Sequence, residues 1–233
     1  VKRPLLLALL LVLPGVLLAA ATADQWLDRL AASGSYGPSA SPALALGDRA
    51  ARRHYCAQLA GTGAVAGRPT QIVAVEAPDD WRFGYRLWLD QASGRPVRVE
   101  TLDADGSLVE RREFPDAAPA IGPRPASGPP STAALREAAG GWHVPSPPAG
   151  FQLRAARRDS RGIHLLYGDG VASVSVYIER GAPGLSGTSS SQQGALHARE
   201  YWVDGWRILA IGRVPDVTVD RFARTVTQAP DHG

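Results

Sequence analysis

A chain of 233 residues can hold one large domain or two small ones, and its 45% hydrophobic share is that of a globular protein. The formal charge of +3 moves towards neutrality once Lys2 and Arg3 are set aside, which removes the strongly basic face expected of a nucleic-acid-binding protein. Lys2 is the only lysine and methionine is absent, so the many arginines point to GC-rich coding before any demand for guanidinium chemistry.

Lys2-Arg3, an apolar run from Leu5 to Ala20 and then Ala21-Thr22-Ala23 follow the order of an export signal with an A-x-A cleavage site, covering residues 1–23. The apolar run approaches the length of a membrane anchor, the competing reading. Pro14-Gly15 and the small residues after it favour cleavage. A cleaved leader implies a soluble protein outside the cytoplasm. Cys56, the single cysteine, cannot form an internal disulfide and lies too far from the leader to carry a lipid. It reads as a small, half-buried strand residue.

Asp24 is placed to cap a short helix over 24–30, with Trp26, Leu27 and Leu30 at helical spacing. Residues 32–48, rich in Gly, Ser, Pro and Ala, predict a loose loop. The period then becomes two over 53–60, 70–77, 82–90, 96–102 and 108–114, which predicts an antiparallel meander. In the third run Phe83, Tyr85, Leu87 and Leu89 face the core, while Arg82, Gly84, Arg86 and Asp90 face water. Trp88 puts a large ring on the wet side. Ser93-Gly94 and Asp105-Gly106 supply the positive φ angles of hairpin turns.

Six prolines over 115–130 mark a linker, and Ser131 caps a short helix ending at Ala139, with Leu135 as its apolar anchor. From Gly141 a second module reads as five strands, over 152–158, 162–168, 171–180, 195–203 and 206–214. Gly168-Asp169-Gly170 and Asp204-Gly205 turn two of its hairpins. Val174, Val176 and Ile178 form a dry face and Ser173, Ser175 and Tyr177 a polar one. The uncharged, Gly/Ser-rich stretch 181–193 predicts a mobile loop. Pro215 opens a last helix carrying Val219, Phe222 and Val226 towards the sheet.

Chemistry is hard to place on this framework. His54, His143, His164, His197 and His232 fall in no metal-binding spacing, so no metal site is assigned. There is no Gly-x-Ser-x-Gly elbow, and Asp79-Asp80 follows Pro78 in a turn where Asp serves local hydrogen bonds. The run from Gly61 to Gly67 misses the dinucleotide fingerprint by one residue and opens no helix. No catalytic residue and no cofactor are assigned, and the chain reads as a binding protein. Tyr85, Trp88, Tyr167, Asp169, Ser173, Ser175 and Tyr177 are the candidates for contact with a partner or a lipid. Core packing competes for Tyr85 and a turn role for Asp169.

Two long stretches carry a family resemblance. One runs from Val65-Ala66-Gly67-Arg68-Pro69-Thr70 through Asp79-Asp80-Trp81-Arg82-Phe83-Gly84-Tyr85 to Glu110-Arg111-Arg112-Glu113-Phe114. The other combines Pro148-Ala149-Gly150-Phe151, then His164-Leu165-Leu166-Tyr167-Gly168-Asp169-Gly170 continuing to Glu179, and Val214-Pro215. In order and separation these resemble the MucB/RseB family of periplasmic regulators, over roughly residues 59–227.

The resemblance implies an α+β protein. A lipoprotein-carrier-like antiparallel sheet with helix occupies 24–114, a Pro-rich linker and short helix 115–140, and a smaller antiparallel sheet with helix 141–228. It further implies that the chain binds the periplasmic part of a single-span anti-sigma factor and shields it from proteolysis. Lipid or lipopolysaccharide fragments would release that grip, and the chain could form an oligomer; a lipid or lipoprotein carrier is the alternative. Between the Trp26 helix and Leu59 the family carries a long stretch with the first strands of the sheet, where this sequence has a short one. A curtailed first sheet with an exposed edge and less wall for a cavity is the expectation.

Overall fold

The computed structural model describes residues 21–34, 41–114, 130–182 and 184–229. The leader up to residue 20 and the proline-rich stretch 115–129 lie outside the described residues. Among the described residues no helix is long and apolar enough to cross a membrane.

The first helix, α1 (Ala23–Ala32), starts one residue earlier than expected, and its cap is Thr22, not Asp24. The Thr22 hydroxyl accepts from the Gln25 amide and the Gln25 side chain accepts from the Thr22 amide, a reciprocal capping box. Asp24 then sits in the first turn, where its charge favours the helix dipole. Cleavage after Ala23 would remove both the cap and a buried residue.

Part of the expected loop 32–48 is structured. Ser41 caps a 3₁₀ turn over Pro42–Gly47, whose Ala43, Leu44 and Leu46 are buried with Leu27 and Leu30 of α1. Alanine and leucine alternating with small residues suit a tight turn packed on a helix, a pattern with neither the period of an α-helix nor that of a strand. A second 3₁₀ turn, Ala51–His54, replaces the expected start of the first strand.

Five strands follow in a plain antiparallel meander: β1 (Cys56–Val65), β2 (Arg68–Glu76), β3 (Gly84–Asp90), β4 (Pro96–Leu102) and β5 (Leu108–Glu113). β1 runs further than the sequence pattern indicates, because a bulge between Leu59 and Gly61 lets the Gly/Ala stretch continue the pairing. β1 is one edge of this sheet, and Cys56 at its start is exposed instead of half-buried. Val73, Val75, Tyr85, Leu87, Leu89 and Val99 project to the inner face and meet α1 and the 3₁₀ turns. Each leucine fully withdrawn from water there contributes about 1.5–3 kcal/mol.

After α2 (Thr132–Ala139), capped by Ser131 as expected, comes the short strand β6 (Trp142–His143). The second sheet contains β7 (Gln152–Arg158), β8 (Gly162–Gly168), β9 (Ser173–Arg180), β10 (Gly187–Gln193), β11 (Leu196–Val203) and β12 (Trp206–Gly212). Its order is β10-β11-β12-β9-β8-β7, with all neighbours antiparallel. Helix α3 (Asp216–Thr225) covers the inner face with Val219 and Phe222, and β13 (Thr227–Gln228) pairs with β6.

β10 corrects the expectation of a loop over 181–193. It has no apolar side chain for a pattern to register, and all seven residues are exposed. It is held by unbroken main-chain pairing with β11.

Candidate functional site

The two lobes meet along a seam built from turns. Arg82, expected on the wet face of β3, lies just before that strand and is only 1% exposed. Its Nε donates to Asp169 Oδ2 at 2.6 Å, its Nη1 pairs with Asp79, and its Nη2 donates to the Ala149 carbonyl. Its guanidinium carbon sits 4.9 Å from the centre of the Phe151 ring. Asp169 is fully buried in the turn between β8 and β9, where its Oδ1 accepts from the amides of Val171 and Ala172 at 2.8 and 2.7 Å. The same carboxylate therefore shapes a turn in one lobe and neutralises a cation from the other, which is how a buried charge is tolerated.

Further contacts tie the seam. Glu110 of β5 pairs with Arg213 and accepts from the Ala195 amide at 3.1 Å. Burial raises the Glu110 carboxyl, but Arg112, the Ala195 amide and Arg213 outweigh it and hold the group below its ordinary value. The Thr218 hydroxyl, at the start of α3, donates to the Trp81 carbonyl at 2.9 Å. Val171 and Ala195 of the second lobe join the apolar core of the first. Two glycines allow this approach. A Cβ on Gly170 (φ +112°) would lie 2.8 Å from the Ala51 Cα, and one on Gly150 (φ +87°) would lie 2.6 Å from the His54 ring.

The seven candidate contact residues do not form one site. Asp169 lies in the seam. Tyr85 is 1% exposed in the first core, its ring centre 6.3 Å from that of Tyr55, and burial pushes both phenols well above their ordinary range. Tyr167 is in the second core, where its hydroxyl accepts from the Val144 amide at 2.9 Å and its ring lies 5.1 Å from Phe222.

Trp88 stands on the outer face of the first sheet, as its position in β3 indicates. It is covered there by Val65, Ile72 and Val97, with Arg98 5.3 Å above the ring. Beside it runs a charged ladder in which Glu100 meets Arg86 and Arg111, and Arg98 meets Glu113.

Ser173, Ser175 and Tyr177 do share a surface, the outer face of the second sheet. Tyr177 stacks on His164 at 4.3 Å with the rings 7° from parallel. Burial and nearby Arg157 keep that imidazole below its ordinary pKa. The cross-strand register places Leu166 and Ile211 on either side of Ser175, and Leu209 beside Tyr177. The result is a half-buried, partly apolar sheet face.

Sequence reasoning missed Arg82, Glu110 and Arg213. The available signal was faint: Arg82 sits between Trp81 and Phe83, next to a strand, where a cation with large neighbours is open to burial.

Comparison with known proteins gives two family matches in chain order: the MucB/RseB N-terminal domain over residues 16–119 and the MucB/RseB C-terminal domain over 136–227. The sigma factor AlgU regulatory protein MucB of Pseudomonas aeruginosa is 32% identical over 198 residues, covering 74% of this chain and 60% of that protein. The sigma-E factor regulatory protein RseB of Escherichia coli K12 is 27% identical over 184 residues, covering 71% of this chain and 57% of that protein. The chain thus spans about three fifths of the length of these relatives.

Among solved structures, MucB in complex with MucA(peri) matches with a TM-score of 0.61 at 28% identity, over 77% of this chain and 70% of that one. The MucA/MucB complex of Pseudomonas aeruginosa matches with a TM-score of 0.60 at 29% identity, over 76% and 66%.

Proposed function

We propose, from the premise that this chain belongs to the MucB/RseB family, that it is a periplasmic negative regulator of an envelope-stress sigma factor. In this reading it binds the periplasmic part of a transmembrane anti-sigma factor and protects it from proteolysis. Residues 24–114 and 141–228 act as the two domains, joined by 115–140. The observation that carries the reading is the likeness, over 77% of this chain, to MucB in complex with MucA(peri). Internal support comes from the seam, which fixes the two lobes as one surface and commits its buried charged groups to structural bonds, not to a reacting centre.

The test is titration calorimetry of the purified protein against the periplasmic fragment of a single-span anti-sigma factor from the same genome, with a site-1-type protease assay alongside. Saturable binding that slows cleavage supports the reading. No heat and no protection at concentrations that saturate MucB with MucA would sink it.

A lipid-responsive grip is a second reading, favoured by a cleft of about 760 Å³ lined by Leu135, Trp142, Val144, Leu153 and Tyr167. That volume and lining suit an acyl chain. Native mass spectrometry of the exported protein, looking for retained lipid, tests it directly.

A further inference from the structure

The second sheet has one end in the seam and one end free. The Asp169 turn, the Ala195 turn and the start of α3 face the first lobe. The β7–β8 turn, the β9–β10 loop and the β11–β12 turn lie at the opposite end. Six strands at about 4.8 Å spacing make that end roughly 24 Å wide.

Among the described residues five large apolar side chains are exposed, and two of them, Leu185 (49%) and Val203 (45%), stand at this free end. Half-buried Trp202 and Trp206 lie beside them, with the Arg207 guanidinium 5.7 Å from the first ring and that of Arg180 4.0 Å from the second. Arg157, Arg158, Arg161 and Arg180 are exposed there, and among the described residues none of the four closes an ion pair. The acids of this end serve other groups. Glu179 and Glu200 both bind Arg207, and Asp159 accepts from the amides of Arg161 and Gly162 at 2.8 and 3.3 Å. Asp204, in the β11–β12 turn, is the remaining carboxylate.

We propose that this end docks on the surface of an anionic bilayer, with Leu185, Val203 and the two indoles among the head groups and the four arginines on lipid phosphates. Apolar tips beside indoles and guanidiniums match a bilayer interface, where an apolar layer lies directly under an anionic one. The occupant is a bilayer because the groups are spread from β7 to β11 and no single groove gathers them. A cleft of about 280 Å³ takes in Arg157 and Arg161 but neither apolar tip. A broad, flat, negatively charged partner meets all of them together. The seam and the first lobe then point away from the membrane. The proposal goes beyond the anti-sigma reading and does not rest on it.

The test is co-sedimentation of the purified protein with vesicles of phosphatidylcholine alone, or of phosphatidylglycerol and phosphatidylcholine in equal parts. The protein should pellet with the mixed vesicles, far less with phosphatidylcholine, and leave the mixed vesicles as salt is raised. Arg157→Gln with Arg161→Gln should weaken the partition constant by about fivefold for each charge removed. Leu185→Ser with Val203→Ser should weaken it by about fivefold or more. All four side chains are exposed, so these substitutions leave the fold intact. An environment-sensitive dye on Val203→Cys, in a Cys56→Ser background, should shift to the blue on the mixed vesicles. The same dye on native Cys56, exposed at the start of β1 in the first lobe, should not shift. Failure to pellet with the mixed vesicles at low salt overturns the proposal, as does equal pelleting on both lipids. Pelleting that either double variant leaves unchanged overturns it, and so does a blue shift at Cys56 with none at position 203. Capture on a single-stranded oligonucleotide with no pelleting on vesicles would make the partner nucleic acid and overturn it too.

Discussion

Arg82 and Asp169, 87 residues apart in sequence, meet with 2.6 Å between Nε and Oδ2, and neither side chain is more than 1% exposed. This buried pair is the most deeply buried of several contacts that join the two sheets across the seam. Removing Arg82 strands the Asp169 charge in a medium that cannot solvate it, whereas removing Asp169 leaves Arg82 with Asp79 and the Ala149 carbonyl.

Arg82→Met should lower the unfolding free energy by roughly 3–5 kcal/mol, and Asp169→Asn by less, because Arg82 keeps Asp79. Urea unfolding followed by circular dichroism checks this. The double variant Arg82→Met with Asp169→Asn should lose clearly less than the two single losses added together, since the charge it leaves without Arg82 is that of Asp79, which is partly exposed to water. Strict additivity would mean the pair is not coupled.

Gly170→Ala tests the close approach of the lobes. The new Cβ meets the Ala51 backbone and forces a residue with φ of +112° into a region L side chains rarely adopt. The expected cost is about 1–3 kcal/mol. The seam should become accessible to a protease before either sheet unfolds, and gel analysis of limited digests would show it. Equal digestion of variant and wild type would contradict this.

The Glu110 clasp gives the seam a pH dependence with a definite sign. The folded carboxyl titrates below its ordinary value of 4.5, so the folded state favours the ionised form. Its contribution is complete above that value and disappears as the pH falls through the lower folded pKa. Thermal midpoints measured from pH 7 down to pH 3 should drop less steeply in Glu110→Gln than in the wild type. Parallel curves would remove Glu110 from the account.

Trp88→Ala separates packing from docking. With Val65, Ile72 and Val97 around the ring, the loss of stability should be about 3–5 kcal/mol. Affinity for the anti-sigma fragment, measured on the fraction still folded, should stay within about twofold, well under the tenfold that 1.4 kcal/mol represents. Unchanged stability with lost affinity would assign the ring to the partner surface instead.

A good part of this molecule could be read from its residues alone. The alternation in β3, the dry and polar faces of β9, the Ser131 cap and the apolar stripe of α3 are local patterns, and local physics sets them. The family resemblance rested on such stretches as well. Thr22 falls within the export-signal pattern, which hides the local Thr-x-x-Gln capping box it forms with Gln25.

What the sequence could not place depended on partners far along the chain. β10 has nothing to bury and exists because β11 offers a row of main-chain groups beside it. Arg82 looks like a solvated cation until Asp169 and the Ala149 carbonyl arrive from the other lobe. Side-chain periodicity records only which face of an element avoids water. Which element then covers that face, and which charge waits there, is decided when distant segments compete for the same contact.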